Sequence, residues 1–243
     1  GSAKRIGVLE YDALPTRIAD DLAESGVTDL VDATAMFERL RSSADATEIA
    51  LAAHAGQIAR DALAAIPDGL AGIDDVVAAV DGAARRGGAE EVYVAVASGA
   101  REYPSYYRAQ GGDGVVGESR GVRLTVAYKG YWVRLSRTLG KTREAADAVR
   151  RAGERFADAV ARLPDMGSLM NASSWLIEGT TRSLPLEPLA ASSGAALPVQ
   201  TLEGKVVTVT ATFDVDGHLV RVVAPVLVGS GRRPGALLAI PLS

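Results

Sequence analysis

The spacing of apolar and polar residues along the chain changes character near residue 43. Before this point, two short apolar runs flank an amphipathic stretch that stops at Gly26, and glycine tolerates the left-handed backbone found just past a helix. This β-α-β pattern is too short for an independent domain. We therefore predict that residues 1–42 form an N-terminal appendage and that residues 43–243 form the main domain.

Three longer stretches in the main domain repeat apolar residues every three or four positions, as helices with one buried face do. They begin near residues 44, 73 and 142. Turn pairs such as Asp216-Gly217 join neighbouring apolar runs into antiparallel hairpins. Strands are predicted at 91–97, 122–128, 131–136, 206–213, 219–228 and 236–240. Helices that cover an antiparallel sheet give an α+β fold, and we expect the stretch 184–200, rich in Pro, Ser, Ala and Gly, to be a loop.

Composition excludes several classes of site. The 243 residues include no cysteine and two histidines, which rules out disulfides, thiolate nucleophiles and a three-histidine zinc centre. The net charge of −4 argues against a general nucleic-acid binder, which is normally basic. No uncharged apolar run approaches the ~20 residues that span a bilayer. We expect a cytoplasmic protein that does not bind nucleic acid or membranes and carries no cofactor.

A glycine-rich motif and the two histidines do not indicate a functional site in this sequence. Residues 112–117 match the GxGxxG pattern, but the apolar run that follows predicts a strand and not the helix that would cradle a pyrophosphate. We interpret this segment as a surface loop. His54 lies on the buried stripe of a predicted helix, and His218 lies in a turn. Neither has a Ser or Asp neighbour that the sequence places beside it, so a serine-hydrolase triad is not supported.

The segment 130–140, Gly-Tyr-Trp-Val-Arg-Leu-Ser-Arg-Thr-Leu-Gly, resembles the GY-x-x-D-x-T-R-T signature of the pita-bread metallopeptidases. That superfamily includes aminopeptidase P, prolidase, methionine aminopeptidase and creatinase. Residues 94–99, 203–209 and 219–228 resemble further segments of the superfamily, in its order. The resemblance implies a curved antiparallel sheet covered by helices, with residues 1–42 as the remnant of a creatinase-like N-terminal domain. It also implies a homodimer.

The positions that correspond to the superfamily's metal ligands do not hold metal ligands. Its site uses two Asp, one His and two Glu, an oxygen-rich shell suited to hard divalent cations. Here the Asp positions fall on Arg123 and Arg134, the Glu positions on Thr210 and Val223, and the His position on Glu178. Two guanidinium groups repel a dication, so we expect no metal pair and no peptidase chemistry. Creatinase chemistry relies on a histidine that the corresponding segment lacks.

An arginine-lined cavity suits a carboxylate, which Arg binds through two parallel N–H···O bonds. We expect Arg123, Arg134 and Thr210 to bind substrate, and Glu178 to be catalytic as a general base beside cations or a general acid in an apolar corner. The predicted aromatic walls of the cavity are Tyr103, Tyr106, Tyr107, Trp132 and Trp175. The first hypothesis is a metal-independent enzyme that transfers protons on a small carboxylate-bearing molecule, aromatic or not, by ring closure, condensation, isomerisation or hydrolysis.

The second hypothesis is a non-catalytic pseudo-peptidase that binds a peptide, a ligand or a partner subunit. Loss of every metal ligand is what a pure binding scaffold would also show, with Arg123 and Arg134 in internal ion pairs. A cavity filled by side chains would favour this scaffold, whereas an anion between the two arginines, within reach of Glu178, would favour the enzyme. A third hypothesis, a metallopeptidase with a relocated metal, requires stoichiometric Mn, Co or Zn.

Overall fold

The computed structural model describes residues 4–40, 44–67, 72–98, 106–108, 119–140, 142–179, 188–192 and 202–241. The chain divides into two compact units, Gly1–Ser43 and Ala44–Ser243. In the first unit, strands β1 and β2 pair in parallel around helix α1, and helix α2 follows. Their bounds are β1 (Arg5–Val8), α1 (Thr16–Glu24), β2 (Asp29–Asp32) and α2 (Thr34–Leu40).

Among the described residues of the second unit there are three long helices: α3 (Ala46–Ala64), α4 (Ile73–Arg86) and α5 (Arg143–Arg162). Helix α3 begins at a capping box, in which the Asp45 carboxylate accepts hydrogen bonds from backbone N–H groups of the first turn and the Glu48 carboxylate accepts one from the Asp45 N–H. Thr142 caps α5 in a similar way through its hydroxyl. The three predicted helices are confirmed. No helix in the described part of the chain is long and apolar enough to cross a membrane.

In the described part of the second unit, nine strands form two antiparallel sheets. The strands are β3 (Glu91–Ser98), β4 (Tyr107–Arg108), β5 (Ser119–Tyr128), β6 (Tyr131–Gly140), β7 (Ser174–Gly179), β8 (Pro188–Ala191), β9 (Val206–Val215), β10 (His218–Leu227) and β11 (Ala236–Leu237). One sheet has the order β4-β3-β5-β6, and the other β11-β10-β9-β7-β8. The α+β prediction is confirmed.

The two long hairpins turn where the sequence predicts. Lys129-Gly130 joins β5 to β6, and Asp216-Gly217 joins β9 to β10. All four residues have positive φ, between 48° and 80°, as a two-residue turn of the type that matches strand twist requires. These hairpins fix the register of the four strands that carry most of the site.

Alternate residues of each strand face opposite sides of the sheet. One face is apolar and packs with the helices into a single core; it includes Val122, Leu124, Val133 and Leu135 of the first sheet and Val207, Val209 and Phe213 of the second. The opposite face carries the polar residues of the site, and we call it the site face. The sheets meet where Ser136 Oγ on β6 donates to the Arg221 carbonyl on β10 (3.3 Å) and accepts from the Val223 N–H (2.9 Å).

The prediction of a loop over 184–200 is wrong for residues 188–191, which form β8. This strand begins at a proline and contains two alanines, residues that favour strands weakly. Proline is tolerated because β8 lies at the edge of its sheet, where a missing N–H costs no ladder bond. Strand β7, its partner, was also not predicted. Its six residues begin with Ser and end with Gly, so the apolar pattern that would indicate a strand is short.

Candidate functional site

The centre of the site face is an ion pair between Arg134 on β6 and Glu178 on β7. Arg134 Nη1 lies 2.7 Å from Glu178 Oε2, and the two side chains are 12% and 9% exposed. Arg134 Nε also donates to Thr125 Oγ1 at 3.1 Å, and Thr125 is directly opposite Arg134 in the β5/β6 register. The guanidinium group is therefore held from two sides, and it fixes the position of the Glu178 carboxylate.

Arg123 lies on the site face of β5, two residues before Thr125. Its Nε is buried and has no hydrogen-bond partner among the described residues, and no carboxylate there lies within ion-pair distance of it. Burial, reinforced by the positive charge of Arg134, lowers the pKa of Arg123 to about 10. Arg123 is thus a partly desolvated cation that forms no ion pair among the described residues, although the negative charge of Glu178 acts on it from farther away and opposes the fall of its pKa.

Tyr106 contacts two guanidinium groups. Its ring centroid lies 4.7 Å from Arg123 Cζ and 5.5 Å from Arg221 Cζ. Burial raises the pKa of Tyr106, although the two arginines act against that rise. A Cβ placed on Gly121 would lie 2.7 Å from the Tyr106 hydroxyl, so glycine is needed at this point of β5. Arg221 is itself oriented by Thr212, whose Oγ1 accepts from Arg221 Nε at 3.2 Å.

The two remaining positions that the resemblance singles out, Thr210 and Val223, lie directly opposite each other on β9 and β10. Two residues before Thr210, the side chain of Thr208 faces the same way and lies opposite Glu178 in the β7/β9 register. Thr208 is fully buried, and its hydroxyl has no hydrogen-bond partner among the described residues. The structure thus places Arg123, Arg134, Glu178, Thr210 and Val223 on the facing strands of one site.

The predicted aromatic walls are only partly brought together. Trp132 lies on the same face of β6 as Arg134, and its ring centroid is 5.7 Å from that of Tyr93. Trp175 packs against the main core, because it is an odd number of residues from Glu178 and therefore lies on the opposite face of β7. Tyr103 lies outside the described residues, and of Tyr107 only the backbone, in β4, is described.

Sequence reasoning missed four polar or aromatic residues of this face: Tyr93, Thr125, Thr208 and Arg221. The signal that finds them is the two-residue period of the strands. Thr208 lies two residues from the predicted Thr210, Thr125 two residues from Arg123, and Arg221 two residues from Val223. Tyr93 follows only from the β3/β5 pairing, in which it lies opposite Thr125.

The side chains of the site do not fit the divalent metal pair that the resemblance implies. The five ligand positions hold two guanidinium groups, one hydroxyl, one isopropyl group and one carboxylate, and that carboxylate is paired with Arg134. Within the described ranges, no three His, Cys, Asp or Glu residues cluster so that they could hold a metal ion. Metals of this class require several oxygen donors free of competing cations.

Comparisons with known proteins give fold similarity alone. No protein-family model matches the chain, and no curated protein matches it in sequence. Among solved structures, prolidase from Pyrococcus furiosus has a TM-score of 0.66 and 19% identity, covering 99% of this chain and 77% of that chain.

Two aminopeptidases have TM-scores in the same range. X-Pro aminopeptidase from Thermotoga maritima has a TM-score of 0.70 and 20% identity, covering 97% of this chain and 72% of that one. Aminopeptidase PepP from Pseudomonas aeruginosa has a TM-score of 0.68 and 15% identity, covering 99% and 69%. The predicted resemblance is confirmed at the level of the fold: the chain has the pita-bread fold of the prolidases and X-Pro aminopeptidases.

Proposed function

We propose that this chain is a metal-independent enzyme that binds a small carboxylate-bearing molecule at Arg123 and Arg134 and transfers protons through Glu178. One observation carries the proposal: Arg123 is a half-buried cation that forms no ion pair among the described residues, beside the Arg134–Glu178 pair. The fold is prolidase-like, and the side chains at the positions of the family's metal ligands support a different chemistry.

A ligand carboxylate would neutralise the positive charge of Arg123. A buried charge is costly unless it is paired, and among the described residues the Glu178 carboxylate is already paired with Arg134, whereas Arg123 makes no ion pair. An anion at Arg123 would offset the burial that lowers the pKa of this residue. The planar fork of a guanidinium group favours a carboxylate, which it binds through two parallel hydrogen bonds.

Glu178 is the acid–base group of the proposal because it is the carboxylate that the fold holds beside the ligand site. Its Oε2 is fixed at 2.7 Å from Arg134 Nη1. A positioned carboxylate that accepts or returns a proton serves ring closure, condensation, isomerisation and hydrolysis alike. Trp132 and Tyr93 lie on the same sheet face and offer an apolar wall, which favours a ligand with an aromatic group.

The experiment is a turnover screen of aryl carboxylates and short peptides by mass spectrometry, with a metal chelator present throughout. Wild-type protein should consume at least one compound. Glu178→Gln should abolish this turnover, whereas the matched control Glu154→Gln, which alters an exposed pair with Arg150, should preserve it. Equal turnover by Glu178→Gln would contradict the assignment. Saturable binding without turnover would favour the non-catalytic binding module.

A further inference from the structure

Tyr106 lies in contact with one arginine from each of the two sheets. Its ring centroid is 4.7 Å from Arg123 Cζ on β5 and 5.5 Å from Arg221 Cζ on β10. The negative face of an aromatic ring attracts a guanidinium group, and the attraction is stronger where water is partly excluded. A ring has no carboxylate oxygens, so Tyr106 stabilises the two cations without being the two-point acceptor that a guanidinium fork fits best.

Three contacts hold the Tyr106 side chain in place. A Cβ at Gly121 would lie 2.7 Å from the Tyr106 hydroxyl, so glycine at this point of β5 lets the ring approach the sheet closely. The hydroxyl also hydrogen-bonds with the Ser136 side chain on β6. Arg221, the second cation in contact with the ring, is itself held by Thr212, whose Oγ1 accepts from Arg221 Nε at 3.2 Å. The ring is therefore anchored before any ligand binds.

Arg123 is less firmly held than its neighbour Arg134. Arg134 binds both Thr125 and Glu178, whereas Arg123 forms no ion pair and its Nε makes no hydrogen bond among the described residues. The described contact that can orient the Arg123 guanidinium group is the one with the Tyr106 ring. Ordering a flexible charged side chain during binding lowers affinity, and a contact that orders it beforehand removes that cost.

We propose that Tyr106 is a positioning residue of the carboxylate site, whose ring holds the Arg123 guanidinium group in place before the ligand binds. This inference rests on the proposed binding of a carboxylate at Arg123. Both side chains are half-buried, so a ligand can reach the guanidinium group. Tyr106 acts through its ring, and its hydroxyl, which contacts Gly121 and Ser136, takes no part in proton transfer.

Isothermal titration with 3-phenylpropionate tests this role in a pair of variants. Tyr106→Leu removes the ring, and the affinity should fall about two- to tenfold because Arg123 must then be ordered during binding. Tyr106→Phe keeps the ring and should bind within about twofold of the wild type. The matched control is Tyr128→Leu, which removes a tyrosine ring 5.6 Å from Lys129 Nζ that packs against the main core, and its affinity should equal that of the wild type.

A second measurement reports the position of Arg123 without any ligand. In a proton–nitrogen correlation spectrum, the Arg123 Nε–H signal is assigned by its loss in Arg123→Met. In the wild type this signal should be shifted by the ring current of Tyr106, whose centroid is 4.7 Å from Arg123 Cζ. Tyr106→Phe should keep the shift, and Tyr106→Leu should remove it. The wild-type and Tyr106→Phe results decide the inference even if Tyr106→Leu does not fold.

The outcomes separate this role from the carboxylate site itself. Equal affinity of Tyr106→Leu and the wild type, or an Arg123 signal without the ring-current shift, would overturn the positioning role and leave the carboxylate site intact. Weak binding by Tyr106→Phe would also overturn it, because the hydroxyl and not the ring would then be required. No binding of 3-phenylpropionate to the wild type would overturn the carboxylate site, and this role with it.

Discussion

Arg134 on β6 and Glu178 on β7 form an ion pair, 2.7 Å from Nη1 to Oε2, that links the two sheets of the main unit. The two residues are 44 positions apart in the chain, and both side chains are nearly buried. The pair fixes the positions of one of the two cations proposed to bind the ligand and of the carboxylate proposed to move the proton.

Replacing either member of the ion pair alone should lower the free energy of unfolding. Arg134→Met and Glu178→Leu should each lower the free energy of unfolding by about 3 kcal/mol, because each leaves a buried charge without its partner. The double variant should be more stable than either single variant, since it leaves no unpaired charge. Urea denaturation of the three variants measures this, and strictly additive losses would show that the two groups do not interact.

Replacement of Arg123 should affect the free energy of unfolding much less. Arg123→Met should change the free energy of unfolding by less than about 1 kcal/mol, because the lost contact with Tyr106 is offset by removal of a half-buried charge that forms no ion pair among the described residues. The same denaturation experiment compares it with Arg134→Met on the neighbouring strand. A loss at Arg123 as large as that at Arg134 would mean that Arg123 has a structural partner.

Carboxylate binding should depend on pH at the alkaline end. Burial lowers the pKa of Arg123 to about 10, so the charged form is lost sooner than in an ordinary arginine. Affinity should be constant near neutrality and should fall as the pH rises through about 10. Because the pKa is lower in the folded protein than in the unfolded chain, this residue's contribution to stability changes in the opposite sense and rises with pH above that value.

Titration calorimetry at a series of pH values checks this dependence, with Arg123→Met as the control. The variant's residual binding should show no such fall. An affinity that stays constant in the wild type to well above the lowered pKa would contradict the assignment of Arg123 as the anion-binding group.

Two helical glycines provide a matched test of packing. A Cβ on Gly153 in α5 would meet nothing within 4 Å, and this residue lines a cavity of about 30 Å³ between α5, β6 and β10. Gly153→Ala should therefore raise the free energy of unfolding by about 1 kcal/mol through helix propensity. A Cβ on Gly56 in α3 would lie 2.9 Å from Ala239 Cβ, so Gly56→Ala should be destabilising. Thermal denaturation compares the two, and a stabilised Gly56→Ala would show that the contact relaxes.

Much of this site follows from local sequence pattern. The hairpin turns at Lys129-Gly130 and Asp216-Gly217 set the register, and the two-residue period then assigns Arg123 and Arg134 to one face. The same rule places Trp175 and Glu178 on opposite faces of β7. The sequence prediction of Trp175 as a pocket wall did not take this alternation into account.

The remaining features depend on contacts between distant segments. The pairing of Arg134 with Glu178 requires the two sheets to meet, and no local pattern encodes that. The position of Tyr106 between β5 and β10 is set by a short strand that precedes β5 by several residues. The unsatisfied hydroxyl of Thr208 becomes visible only when every neighbour of a buried atom is known.

The proposed function depends above all on carboxylate binding at Arg123. Isothermal titration of 3-phenylpropionate into the wild-type protein and into Arg123→Met tests it most directly. Saturable one-to-one binding to the wild type and much weaker binding to the variant are expected. Equal affinity for both proteins, or no binding to the wild type, would contradict it.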